Sequence, residues 1–192
     1  NADALASDLK ALDAKTSEVV TAKGVTVITG NAADVKTVLA ATTINTAANV
    51  PVEVTGTVSA ADANTIAKAT DGKVTATVAA GTAASLKAAL TDVTTGLDAL
   101  KLKVTGTATV ADLLALDGKT SIAVDAKSVT AITGTAAEFL ELAKITTLVD
   151  LSSTVAVTVT GAITAAALTD ISDATFGKVT ATVEGSANDL KA

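Results

Sequence analysis

Lys101-Leu102-Lys103-Val104-Thr105-Gly106-Thr107-Ala108-Thr109-Val110-Ala111-Asp112-Leu113-Leu114-Ala115-Leu116 reads as a strand, a glycine and a capped helix. Residues 102 to 105 alternate apolar and polar side chains, and Gly106 marks a turn. From Thr109 onward the apolar residues fall at Val110, Leu113 and Leu114, a helical spacing. The rest of the chain is built from variants of this unit.

The glycine recurs at Gly30, Gly56, Gly81, Gly106, Gly134, Gly161 and Gly185, in steps of 26, 25, 25, 28, 27 and 24 residues. Each is preceded by a β-rich run, such as Val25-Thr26-Val27-Ile28-Thr29, Val52-Glu53-Val54-Thr55 or Val129-Thr130-Ala131-Ile132-Thr133. Five are followed by a short polar residue with an acid three positions later: Asn31/Asp34, Ser59/Asp62, Thr109/Asp112, Thr135/Glu138 and Ser186/Asp189. That spacing lets the first side chain cap a free N–H while the acid meets the positive end of the helix. Thr82 and Thr164 lack the acid, with Ser85 and Ala167 in its place.

A longer period overlies the short one. Ala11-Leu12-Asp13-Ala14-Lys15-Thr16-Ser17 returns as Ala115-Leu116-Asp117-Gly118-Lys119-Thr120-Ser121, and Lys73-Val74-Thr75-Ala76-Thr77-Val78 returns unchanged from Lys178 to Val183. The offsets of 104 and 105 residues equal four short units, the signature of an internal duplication.

A strand, a helix and a return strand within about 26 residues form a crossover that makes the strands parallel and the connection right-handed. The expected fold is therefore α/β: a β–α solenoid of about seven coils over residues 1–192, with a parallel sheet on one side and short helices on the other. Seven strands at about 4.8 Å spacing would form a rod about 34 Å long. Residues 4 to 16 are expected to be helix without its preceding strand. Both termini cut through a unit, so the chain reads as a window from a longer protein. Glu18-Val19-Val20-Thr21 and Ile122-Ala123-Val124-Asp125 suggest short extra extended pieces. The helix faces expected to meet the sheet carry Val58, Ala61 and Ile66 in one unit and Ala136, Phe139, Leu140 and Ala143 in another.

Composition suits a thin interior. Hydrophobic residues make up 49% of the chain and aromatics 1%, with two Phe and no Trp, Tyr, Met, Cys or His. A layer of small helices on one sheet can be filled by Val, Ile, Leu and Ala. The net charge of −6 argues against a nucleic-acid surface, and no apolar run is long enough for a membrane span. Without cysteine there is neither a disulfide nor a thiolate metal site.

Chemistry is sparse. Only Ser, Thr, Lys, Asp and Glu are left for catalysis, no nucleophile motif is read among them, and no catalytic residue is assigned. The glycines lack the spacing of a phosphate-binding turn. Neither calcium-loop pattern occurs, so no metal or cofactor residue is assigned, although weak calcium binding between coils is considered. The outer sheet face is the one candidate recognition surface, with Thr29, Thr55, Thr105, Thr133 and Thr160 expected in one row and Thr77, Thr158 and Thr182 in another. Such rows could meet ice, a glycan or a neighbouring array, but threonine's strand preference on an exposed sheet face is the favoured explanation.

Val104 to Leu113, Lys73 to Val78 and Ile132-Thr133-Gly134-Thr135-Ala136-Ala137-Glu138 resemble the Thr/Ala/Val-rich repeats of very large secreted and cell-surface proteins of cyanobacteria and other bacteria. The likeness covers essentially the whole chain. It implies an extracellular structural protein, part of a filament, a surface layer or an adhesin stalk, whose partners are neighbouring repeats or chains. It brings no functional residue with it.

Overall fold

The computed structural model describes residues 2–93, 98–144, 149–174 and 177–185. Within them strands and helices alternate, every strand pairing is parallel, and the fold is mixed α/β with seven helices and no closed barrel among the described residues. The chain divides into two compact units: Asn1–Ala79 with Ala88–Leu102 and Gly118–Ile122, and Ala80–Lys87 with Lys103–Asp117 and Ala123–Ala192.

In the first unit, β1 (Ala2–Leu5), α1 (Ala6–Asp13), β2 (Val20–Ala22), β3 (Val25–Gly30), α2 (Ala32–Ala40), β4 (Ile44–Thr46), β5 (Val52–Val58), α3 (Ala60–Ala69) and β6 (Val74–Val78) follow in order. α4 (Ala83–Ala89) begins in the second unit, whose residues include Ala80–Lys87, and β7 (Ala99–Lys101) belongs to the first. The main sheet runs β1-β3-β5-β6-β7, and β2 pairs with β4 in a separate two-stranded sheet. Parallel order follows from the helix between successive strands, which returns the chain to the same edge.

The second unit contains β8 (Lys103–Thr109), α5 (Val110–Asp117), β9 (Val124–Thr135), α6 (Ala136–Lys144), β10 (Val149–Leu151), β11 (Ala156–Ile163), α7 (Ala165–Ala174) and β12 (Val179–Val183). Its sheet runs β10-β9-β11-β12, with β8 also paired to β9. The core is aliphatic, with Ile28, Val35, Val38, Ile66 and Leu100 buried in the first unit and Val110, Leu113, Leu116 and Ile132 in the second. Phe139 is the one aromatic side chain in it among the described residues; Phe176 lies outside them.

Several expectations change. Residues 2–5 are a strand, pairing Ala2 with Val25 and Leu5 with Thr29, so the first helix does have a strand before it. The extra extended pieces exist, at Val20–Ala22 and within the first residues of β9, and each finds a partner: β4 for the first and β10 for the second. The α3 face that is buried carries Ala63, Ile66 and Ala67; Ala61 is exposed and Val58 belongs to the strand. In α6 the buried pair is Phe139 and Leu142 rather than the wider stripe, and in α5 Leu116 is buried where Leu114 is only half-covered. A helix of two turns over a flat sheet touches it along one narrow line, so residues at the flanks of the stripe stay partly exposed.

The glycines are of two kinds. Gly56, Gly106 and Gly161 have φ of 77°, 79° and 80°, whereas Gly30, Gly81 and Gly134 do not take positive φ. Gly56 and Gly161 sit where the register against the next strand jumps. In β5, Glu53 pairs with Thr75 and Thr57 with Thr77; in β11, Thr158 pairs with Thr180 and Ala162 with Thr182. Left-handed backbone at these points is what glycine supplies.

Candidate functional site

The polar side chains act mainly between one β–α step and the next. Helix N-termini are capped as their spacing implies: Asn31 accepts from the Asp34 N–H at 3.0 Å, Ser59 from Asp62 at 3.0 Å, Thr109 from Asp112 at 3.1 Å and Thr135 from Glu138 at 3.3 Å. Thr82 and Thr164 cap the Ser85 and Ala167 N–H groups at 3.2 Å each without an acid. The Ser186/Asp189 pair lies outside the described residues. Among the described residues Glu138 alone reaches back to its cap residue's N–H, at 2.7 Å from Thr135; the described aspartates are one methylene shorter and are engaged elsewhere.

What engages them is the lysine of the preceding helix. Lys10 pairs with Asp34, Lys36 with Asp62 and Lys87 with Asp112. Each lysine follows its own helix's third residue by two positions, with a buried apolar residue between: Asp8-Leu9-Lys10, Asp34-Val35-Lys36 and Ser85-Leu86-Lys87. In α3 the lysine position is held by Asn64, whose amide donates to Asp92 at 2.8 Å. These contacts hold carboxyls below the usual aspartate range, by the hydrogen bond from Lys10 at Asp34, Lys36 at Asp62, Asn64 at Asp92 and Lys87 at Asp112. The acid–apolar–lysine order of α1 and α2 was legible in the sequence; read as caps alone, the acids hid it.

A second link is buried. The Thr70 hydroxyl donates to the Val50 carbonyl at 2.6 Å and accepts the Gly72 N–H at 3.0 Å. Thr120 repeats this, donating to the Leu100 carbonyl at 2.9 Å and accepting N–H groups from Leu100 at 3.1 Å and Ile122 at 3.3 Å. Beside it, buried Asp98 accepts the Val74 N–H at 2.8 Å. Burial pushes the Asp117 carboxyl up, and Asp150 raises the Lys127 ammonium through an ion pair of 2.7 Å.

On the outer sheet face, the expected threonine rows are replaced by others. Thr29 lies against Glu53 rather than Thr55, Thr105 against Ser128, Thr160 against Thr135, Thr77 against Thr57 and Lys101, and Thr182 against Ala162. The second unit instead aligns Thr109, Thr133, Thr158 and Thr180 across four adjacent strands. All four are exposed.

Ser7-Asp8-Leu9-Lys10 has the spacing of a serine–lysine nucleophile motif, which sequence reasoning missed. Its hydroxyl points to Asp8 at 3.4 Å and its lysine is held by Asp34, so the two do not form a dyad. Among the described residues no group of three or more His, Cys, Asp or Glu side chains is placed to hold a metal ion, and no helix is long and apolar enough to cross a membrane. Compared with known proteins, the chain matches no family model, no curated protein and no solved structure.

Proposed function

We propose that this chain is a structural repeat protein, a right-handed β–α solenoid of about seven coils that contributes to an extracellular filament, surface layer or adhesin stalk by stacking of coils. One observation carries the reading: the same polar links recur between consecutive steps, lysine to the next helix's aspartate and threonine to the previous step's backbone. Chemistry of that kind stabilises a neighbour contact and leaves little for a substrate. On this reading the protein is not an enzyme, needs no cofactor, and has further repeats or chains as its partners. Electron microscopy of native material tests it: ordered fibres with an axial repeat of about 4.8 Å or a multiple are expected, and material without rods or fibres would overturn it.

A second reading, a binding module, has its own support in the exposed Thr109, Thr133, Thr158 and Thr180 row. Adjacent strands space such hydroxyls about 4.8 Å apart, a lattice that could meet ice or a glycan. Thr109 already accepts from the Asp112 N–H, which leaves Thr133, Thr158 and Thr180 as the unengaged part. Thr133→Lys together with Thr158→Lys should abolish retention on ice or immobilised glycan if this reading holds; wild-type protein that is not retained excludes it.

A further inference from the structure

We infer that the outer sheet face of the second unit is an ice-binding surface, a lattice of threonine and alanine that orders water against a growing crystal. The inference rests on the binding-module reading of that face and chooses its ligand.

The lattice extends in two dimensions. On β9 and β11, Gly134 and Val159 are buried, so the residues flanking each point outward: Thr133 and Thr135, Thr158 and Thr160. The register sets Thr133 beside Thr158 and Thr135 beside Thr160, and on the other side of β9 it sets Thr109 beside Thr133 and Thr107 beside Ala131. Neighbours are about 4.8 Å apart across the strands and about 6.6 Å apart along them. Ala131 is half-exposed and Ala156, beside it, is exposed. No charged side chain stands at these positions; on β8 and β9 the charges gather at the strand starts, at Lys103, Asp125 and Lys127. Thr109 and Thr135 cap α5 and α6, whereas Thr107, Thr133, Thr158 and Thr160 make no hydrogen bond among the described residues.

Three ligands compete for such a face. A glycan is gripped by amides, carboxylates and aromatic rings; the face offers none of them, and the chain has neither Trp nor Tyr. A second protein sheet laid on it would take these hydroxyls out of water without fixed partners, at a cost for each. An ice surface meets each hydroxyl with a water oxygen and the methyl groups with ordered water. The strand spacing is also near the repeat of oxygens along a row of ice, so successive strands meet successive waters in phase.

The first unit supplies an internal contrast. Its β5 carries Val52-Glu53-Val54-Thr55-Gly56 where β11 carries Val157-Thr158-Val159-Thr160-Gly161, 105 residues later. Glu53 lies between Thr29 and Thr75, and Lys101 ends the row of Thr57 and Thr77. A charge inside such a lattice holds its own hydration shell and breaks the order of the water around it. The fold accepts glutamate at this strand position, so Thr158→Glu changes the face and not the scaffold.

Slow growth of ice from a solution of the 192-residue chain tests the inference, with melting temperature reporting the fold of each variant. Wild type should enter the ice and shape it into facets. Thr158→Glu should be left in the liquid, and Thr77→Glu, on the first unit, should enter as wild type does. Thr160→Lys serves if Thr158→Glu lowers the melting temperature. Wild type left in the liquid overturns the inference, as do folded Thr158→Glu and Thr160→Lys that both enter the ice. A cellulose column in the same buffer separates the two failures: a chain excluded from ice but held on cellulose through Thr158 keeps the binding-module reading and loses this ligand, and a chain held by neither loses both. Wild type that stays out of the ice and dimerises in sedimentation through Thr158 overturns the inference in favour of a second copy.

Discussion

Thr120 holds both backbone groups of Leu100, donating its hydroxyl to the carbonyl at 2.9 Å and accepting the N–H at 3.1 Å, with the threonine and the leucine both buried. On the edge strand β7, both backbone groups of its middle residue are thereby satisfied by one side chain from 20 residues further on. Thr120→Val keeps the shape and removes the hydroxyl, so it should cost about 1–3 kcal/mol in urea unfolding. Thr16→Val, in the matching but exposed position, should stay within about 0.5 kcal/mol. Equal effects at the two sites would refute the assignment of the stabilisation to the Leu100 contacts.

Acid should weaken the fold through four aspartates. Asp34, Asp62, Asp92 and Asp112 titrate below the ordinary value because Lys10, Lys36, Asn64 and Lys87 hydrogen-bond to them. The unfolded chain then binds protons before the folded one as pH falls, so stability declines in that direction. It should be fully present above the unfolded aspartate value of about 3.9 and be lost progressively as pH drops through the lowered folded values. Melting temperature measured from neutral pH downward checks this, and replacing Asp34, Asp62 and Asp112 by Asn should flatten the acid limb.

Glycine positions should separate by mechanism. A Cβ at Gly56 would meet nothing within 4 Å, so Gly56→Ala costs only the left-handed backbone, about 1–2 kcal/mol. At Gly72 the same atom would lie 2.4 Å from the Val50 carbonyl oxygen. Main chain must move there, and Gly72→Ala should cost about 3 kcal/mol or more. Chemical denaturation of the two variants gives the order directly.

The identical pentapeptides provide a test of environment at constant sequence. Val74 is fully buried and Val179 half-exposed. Val74→Ala should cost about 2 kcal/mol and Val179→Ala less than about 1 kcal/mol, by the apolar area each removes from the interior. Measured below the concentration at which any association occurs, a reversed order would contradict the burial difference.

The sequence by itself determined the alternation of strand and helix, the parallel pairing and the caps, because these depend on near neighbours: apolar periodicity, a glycine, and a hydroxyl or amide three residues before an N–H. Asn31, Ser59, Thr109 and Thr135 cap as their spacing required. Register and partner choice were decided only in the tertiary structure. Seven glycines look alike in sequence, yet three adopt positive φ, and the register jumps at Gly56 and Gly161 reassign the threonine rows. Lysine-to-aspartate links span 24 to 26 residues, too far for any local pattern to specify. The burial of Val74 against the half-exposure of Val179 makes the point most simply: one pentapeptide, two environments, with β7 beside the first and, among the described residues, β11 as the one strand paired with the second.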